Sequence, residues 1–167
     1  VVDIAMPDPT VIKAADGYFY MYATESTRNV PIMKSKDLVQ WTYCNTAFTN
    51  KTRPRFEPKA GIWAPDINYI NNKYVLYYAM SVWGGEQTCG IGVATADSPQ
   101  GPFTDHGKMF RSNEIGVQNS IDPSFLQYEG RNYLVWGSFR GIYVIELTED
   151  GLSLKPVSYT HLTLPTI

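Results

Sequence analysis

Cysteine and histidine are scarce in this chain, with two of each among 167 residues. Cys44 and Cys89 form no CxxC pair and no metal-ligand spacing, which leaves no zinc module; both read as packed or indifferent thiols, and nothing in the sequence supports a disulfide between them. His106, beside Asp105 in a turn-like stretch, reads as a surface residue. No stretch of helical length keeps a 3.6-residue apolar period, and no hydrophobic run reaches the length of a membrane span. No glycine-rich loop opens a helix, so nucleotide and phosphate chemistry has no footing. A formal charge of −2 offers no attraction to nucleic acid or to an anionic membrane. An initiator Met and a signal peptide are also missing from the sequence, so the expectation is either a removed signal or an internal piece of a longer protein.

What the chain has in excess is aromatic residues, 14% of the total with twelve Tyr and four Trp. Such residues suit β-strands, and they also suit surfaces that stack on sugars. With hydrophobic residues at 44% and charged ones at 18%, the chain is globular and able to bury a core.

An internal repeat organises it. Asp8, Asp66 and Asp122 each stand beside a proline at the head of a hydrophobic run: Pro7-Asp8-Pro9-Thr10-Val11-Ile12, Ala64-Pro65-Asp66-Ile67 and Ile121-Asp122-Pro123-Ser124-Phe125. Each is followed by a tyrosine-led run, Tyr18–Ala23, Tyr74–Ala79 and Tyr133–Ser138, and then by a third apolar run at Pro31–Ser35, Ile91–Thr95 and Ile142–Leu147. The period is about 57 residues, and turn residues punctuate it at Asp16-Gly17, Asn71-Asn72 and Glu129-Gly130. Short strands repeated at this spacing predict an all-β β-propeller, whose blades number four to eight. No Gly-His…Trp-Asp signature points to a WD-type interaction propeller. About three blades are expected, at 1–60, 61–116 and 117–156, with the third lacking an outer strand. Residues 157–167 depart from the repeat and read as an adaptor-encoded, non-native tail, which takes His161 out of functional reasoning.

In a propeller the innermost strands line one channel. Three acids on them would crowd a water-poor funnel, and repulsion would raise the pKa of whichever holds a proton. Glycoside hydrolysis needs such a division between ionised and protonated carboxyls. An Asp beside Pro can equally well cap a turn, and the spacing leaves both readings open. Trp63 stands three residues before Asp66, and Trp83 follows the second tyrosine-led run by a few residues; each suits either a sugar platform or the core.

Taken in order, four segments resemble glycoside hydrolase family 43, the five-bladed propeller enzymes acting on arabinan, arabinoxylan and xylosides. They are Pro7–Ile12, Gly61-Ile62-Trp63-Ala64-Pro65-Asp66-Ile67, Asn119-Ser120-Ile121-Asp122-Pro123-Ser124-Phe125 and Trp136-Gly137-Ser138-Phe139-Arg140-Gly141-Ile142. The last, running on to Gly151, is similar to the endo-acting 1,5-α-L-arabinanases; exo-acting xylosidases and arabinofuranosidases are the alternative within the family, and a non-catalytic carbohydrate-binding propeller the alternative outside it. The resemblance implies inversion, with Asp8 as general base and Asp122 as the acid that tunes the general acid. In inverting enzymes base and acid stand about 6.5–9.5 Å apart to admit a water. Asp66 matches a position near the site, for substrate binding or architecture; Trp63 and Trp83 match aromatics that frame sugar subsites, and Asn119 and Ser138 match substrate hydrogen-bonding positions.

The resemblance places the general-acid Glu on a fourth blade; Glu114, Glu129 and Glu146 do not match it and read as solvated. It also implies a polysaccharide substrate, secretion or a periplasmic location, and a monomer when full length. No cofactor is required for the chemistry, and no metal site is assigned to these residues; a structural calcium in the full-length parent would draw ligands from outside this chain. The fragment alone is expected to be inactive.

Overall fold

The computed structural model describes residues 4–155 and the strand segment 160–162. Three four-stranded antiparallel sheets follow one another along the chain, each with its strands side by side in sequence order. The first holds β1 (Thr10–Lys13), β2 (Phe19–Tyr22), β3 (Pro31–Ser35) and β4 (Thr42–Thr46). The second holds β5 (Gly61–Ile70), β6 (Lys73–Ser81), β7 (Gly90–Ala96) and β8 (Thr104–Arg111). After the one-turn helix α1 (Ser112–Ile115), the third holds β9 (Ser124–Tyr128), β10 (Arg131–Ser138), β11 (Gly141–Leu147) and β12 (Thr160–Leu162). The leading strands pack on one another, β1 on β5 and β5 on β9, so each sheet presents its first strand to the same region.

Turn chemistry sets these hairpins. Asn71 and Asn72 both adopt positive φ between Ile70 and Lys73, as do Glu129 and Gly130 between Tyr128 and Arg131. Two left-handed residues in a row make the turn whose twist matches that of the strands it joins. The sequence punctuation read as turns is therefore what closes two of the leading hairpins.

Packing explains the tyrosine-led runs. All of β6 from Tyr74 to Ser81 is buried, because the second sheet is covered on both faces. Tyr74, Leu76, Tyr78 and Met80 point toward the first sheet and meet Tyr20, Tyr22, Ile32, Phe48 and Phe103. Val75 and Tyr77 point the other way and join Ile91, Val93, Phe110, Leu134 and Trp136. This alternation is the two-residue period of a strand. Buried tyrosines keep their hydroxyls partnered across the packing: the Tyr77 hydroxyl donates to the Gly151 carbonyl at 2.8 Å, and that of Tyr78 to Asp105 Oδ1 at 2.6 Å. Most of the aromatic excess is thus core. Cys89 is buried beside Ser112, Cys44 is half-buried, and both are free thiols.

The third sheet departs from the expectation that it lacks an outer strand. Thr160–Leu162 pair with Ile142–Val144 of β11 and fill the fourth position. The open edge of β11 presents unpaired amide and carbonyl groups, which template any extended segment that reaches them. The rest of the proposed tail, 157–159 and 163–167, lies outside the described residues.

Gly92 on β7 is required by the close approach of Tyr78: a Cβ there would lie 2.3 Å from the Tyr78 Oη and 2.4 Å from its Cζ. Gly92→Ala is expected to lower stability by about 1–3 kcal/mol, the usual cost of overpacking a core. Urea unfolding followed by far-UV circular dichroism measures it.

Candidate active site

The three acids are not equivalent. Aligned on their prolines, the segments read Asp8-Pro9-Thr10, Ala64-Pro65-Asp66 and Asp122-Pro123-Ser124. The residue before each proline has positive φ: 49° at Asp8, 37° at Ala64 and 55° at Asp122. One left-handed socket therefore recurs in each unit, just ahead of β1 and β9 and at the register shift inside β5, and it holds an acid in the first and third units and Ala64 in the second. Aspartate tolerates this region through local hydrogen bonds, whereas an alanine held there costs about 1–3 kcal/mol. Asp66 sits two residues further on, at the position of Thr10 and Ser124, past a register shift between Trp63 and Asp66.

That offset turns Asp66 to other work. Its Oδ2 accepts the Phe125 amide of β9 at 2.7 Å and the Asn68 side-chain amide at 2.8 Å, and its Oδ1 accepts the Thr10 hydroxyl of β1 at 3.5 Å. A half-buried carboxylate on the middle strand thus links the leading strands of all three sheets. Burial raises its pKa above the ordinary range, and the hydrogen bonds from Phe125, Asn68 and Thr10 oppose that rise. Neither Asp8 nor Asp122 contributes to the shift. The expected mutual repulsion of three acids in a water-poor funnel is corrected accordingly: it is a pair.

Asp8 and Asp122 are that pair. Both side chains reach solvent at the heads of β1 and β9. Partial burial raises the pKa of Asp122, and the negative charge of Asp8 raises it further. Asp8 is held by the Thr24 hydroxyl, which donates to its Oδ2 at 2.7 Å.

The aromatic and amide candidates gather around the same ends of the sheets. The indoles of Trp63 and Trp83 lie 5.4 Å apart, centroid to centroid, tilted by 51°. Trp83 is 94% exposed, far beyond what packing alone explains. Trp63 folds back on Gly61, where an added Cβ would meet its Nε1 at 2.7 Å. Asn119 is buried, and its side-chain amide donates to the Ser138 hydroxyl, which joins the loop before Asp122 to the end of β10. The Asn119 amide donates to the Glu86 carbonyl at 2.8 Å, and Arg140 pairs with the Glu86 carboxylate at 3.0 Å, so the loop carrying Trp83 is fastened to the third sheet.

Sequence reasoning missed the clip that holds this rim together, Thr24-Glu25. Glu25 and Arg53 form a buried ion pair at 2.7 Å, and Glu25 also accepts the amides of Ile62 at 2.9 Å and Asn29 at 2.7 Å. Burial pushes the Glu25 pKa up, but the hydrogen bonds from Arg53, Asn29 and Ile62 and the Arg53 charge outweigh it and hold it below the usual value. The polar run Thr24-Glu25-Ser26 at the end of β2 is the signal available in the sequence, though nothing in its spacing says that it folds onto β5. Glu114 and Glu146 are engaged elsewhere, with Lys108 and with Lys155.

Two outcomes follow from this arrangement. Asp8→Asn removes one of the two causes that raise Asp122, so the Asp122 pKa falls while burial keeps it above the ordinary value; carbon-13 NMR titration of its carboxyl reads this directly. Because the folded chain takes up the Asp122 proton before the unfolded chain does, this group favours the fold increasingly as pH falls through that window, and Asp8→Asn narrows the gain. Asp66→Ala strands the Phe125 amide and is expected to cost about 1.5–3 kcal/mol, the range for hydrogen bonds to charged groups, measured by urea unfolding at pH 7.

Known proteins resemble this chain along most of its length. The profile of glycosyl hydrolases family 43 matches residues 1–166. The chain is 36% identical over 158 residues to the extracellular endo-alpha-(1->5)-L-arabinanase 1 of Bacillus subtilis, covering 89% of this chain and 48% of that protein. It is 32% identical over 160 residues to the probable arabinan endo-1,5-alpha-L-arabinosidase C of Aspergillus niger, covering 93% of this chain and 49% of that one. Among solved structures, the native Bacillus subtilis arabinanase superposes with a TM-score of 0.81 at 31% identity, over 94% of this chain and 56% of that one. The Cellvibrio cellulosa alpha-L-arabinanase complexed with arabinohexaose gives 0.79 at 28% identity, over 92% and 51%. An exo-1,5-alpha-L-arabinanase from a bovine ruminal metagenomic library gives 0.77 at 29%, over 93% and 54%. The chain spans about half the length of the curated relatives it matches. It belongs to glycosyl hydrolases family 43.

Proposed function

We propose that this chain supplies three blades of a five-bladed propeller and two of the three catalytic carboxylates of an inverting hydrolase of α-1,5-linked L-arabinan. The observation that carries the reading is the Asp8–Asp122 pair: two acids in matching sockets whose charges feel one another, beside a tryptophan pair with one indole almost fully exposed. Asp8, ionised, takes a proton from the water that attacks the anomeric carbon. The glycosidic bond breaks on the opposite side, and the departing oxygen receives its proton from a general-acid Glu. Asp122 keeps that acid protonated through like charge and orients it. No Glu among the described residues is assigned this role, and the 167-residue chain by itself is expected not to turn over arabinan.

Trp63 and Trp83 supply faces for the C–H side of the sugar rings, and Ser138 meets the hydroxyls with the buried Asn119 amide holding it from behind. Asp66 is architectural in this reading. A structural calcium in the full-length parent would draw ligands from outside this chain, and no step is routed through a metal. The substrate is a cell-wall polysaccharide, which places the enzyme outside the cell or in the periplasm; the Bacillus subtilis relative is extracellular by name. A monomer is the expected state at full length. Exo action is the second reading, favoured by the similarity to an exo-1,5-alpha-L-arabinanase.

The test uses the enzyme that carries this segment at the length of its relatives, with linear 1,5-arabinan. Asp8→Asn is expected to lower kcat by about 10²–10⁴-fold, the usual share of proton transfer by a positioned group. Proton NMR of the first-formed product is expected to show the β-anomer; an α-anomer overturns inversion. A ladder of oligosaccharides supports endo action and arabinose alone supports exo. Hydrolysis surviving in Asp8→Asn within tenfold removes the catalytic reading and leaves a carbohydrate-binding propeller.

A further inference from the structure

The Asp8 carboxylate reaches solvent, and an exposed aspartate turns freely about its last torsion, which is broad and two-fold. A general base needs one oxygen held toward the water, because small misplacements of reacting groups are costly in rate. Something on the rim must therefore fix which oxygen faces outward, and the structure shows one hydroxyl able to do so.

Thr24 Oγ1 accepts the Ala64 amide at 2.7 Å and lies 2.7 Å from Asp8 Oδ2. A hydroxyl has one hydrogen. With the Ala64 N–H occupying an oxygen lone pair, that hydrogen is directed at the carboxylate. The threonine cannot swing away, since its side chain is branched at Cβ and its own amide donates to the Pro7 carbonyl at 3.0 Å, one residue ahead of Asp8. The next residue secures the other end: Glu25 exchanges hydrogen bonds with Ile62, its amide donating to the Ile62 carbonyl at 3.0 Å and its carboxylate accepting the Ile62 amide at 2.9 Å. Ile62 and Ala64 flank Trp63, so the same two-residue clip sets the indole and the acid relative to one another.

We propose that Thr24 is a positioning residue for Asp8. It immobilises Oδ2 through its hydroxyl and so reserves Oδ1, which has no hydrogen-bond partner among the described residues, as the oxygen that receives the proton from water. The strained left-handed Ala64 gains a purpose in this assignment: its amide is turned out of the β5 ladder and toward Thr24. The inference rests on Asp8 being the general base, and the experiment separates the two.

In the enzyme carrying this segment at the length of its relatives, Thr24→Val, Thr24→Ser and Asp8→Asn are compared on linear 1,5-arabinan. Thr24→Val removes the donor while keeping the shape; kcat is expected to fall about 10–100-fold, the scale of a misplaced reacting group, with KM unchanged within twofold. Thr24→Ser, which restores the hydroxyl, is expected to recover kcat to within about threefold. If Asp8→Asn leaves hydrolysis intact, the base assignment fails and this inference with it. If Asp8→Asn abolishes hydrolysis while Thr24→Val keeps the parental kcat, the positioning role alone is overturned. A rise in KM matching the fall in kcat, unrelieved by serine, likewise overturns it in favour of a purely structural threonine. In the 167-residue chain itself, hydrogen exchange of the Ala64 amide reads the same contact without turnover: about tenfold faster exchange in Thr24→Val and the parental rate in Thr24→Ser are expected, and equal rates in all three overturn the proposal.

Discussion

Everything at the rim depends on one carboxylate in the middle strand. Asp66 takes the amide of Phe125 from β9 and the hydroxyl of Thr10 from β1, and so fixes the first and third leading strands against the second. Asp8 stands two residues ahead of Thr10, and Asp122 three residues ahead of Phe125. At about 3.3 Å per residue these are short tethers, and two anchored strands leave the acids at their heads little room to part. The coupling of Asp122 to the charge of Asp8 is the electrostatic trace of that placement. Taking Asp66 out of water raises its own pKa, and the three hydrogen bonds offset part of that cost.

The rim is built with opposite electrostatic signs. Asp66 and Asp122 have pKa values raised by burial, whereas Glu25, whose side chain is buried against Arg53, is held low by Arg53 and two backbone amides. Acid therefore weakens the Glu25 clip, whose contribution is lost as pH falls through its lowered pKa, while the protonation of Asp66 and Asp122 works in favour of the fold. A buried pair that loses one partner is costly, about 3–5 kcal/mol. Arg53 and Glu25 thus hold the loop after β2 onto β5 most firmly under conditions that leave the carboxylate ionised.

Much of the architecture was legible in the residues. The repeat, the strands and the hairpin turns at Asn71-Asn72 and Glu129-Gly130 are local signals, and local chemistry decides them. The family was legible because four short segments kept their order. What failed was the equivalence of the three acids. Counting aspartates put Asp66 in line with Asp8 and Asp122, whereas the backbone counts from the proline and makes Ala64 their counterpart. Thr24 escaped notice because its role depends on β2 ending beside β5, a contact across forty residues that no spacing rule announces. The outer strand of the third sheet escaped for a related reason: pairing there comes from an available edge, and only weakly from the sequence that occupies it.

The recurrence of the left-handed socket at residues 8, 64 and 122 bears on how such sheets diversify. Duplicating a blade copies a main-chain shape along with its side chains. That shape is separable from the chemistry mounted on it: the middle unit has the same bend, bears a methyl group where the others bear an acid, and gives its amide to a neighbour. Sheets repeated this way share a set of equivalent mounting points, each free to hold a reactive group or a brace. Function is then a matter of which mounts are filled, and the backbone need not be reinvented for each.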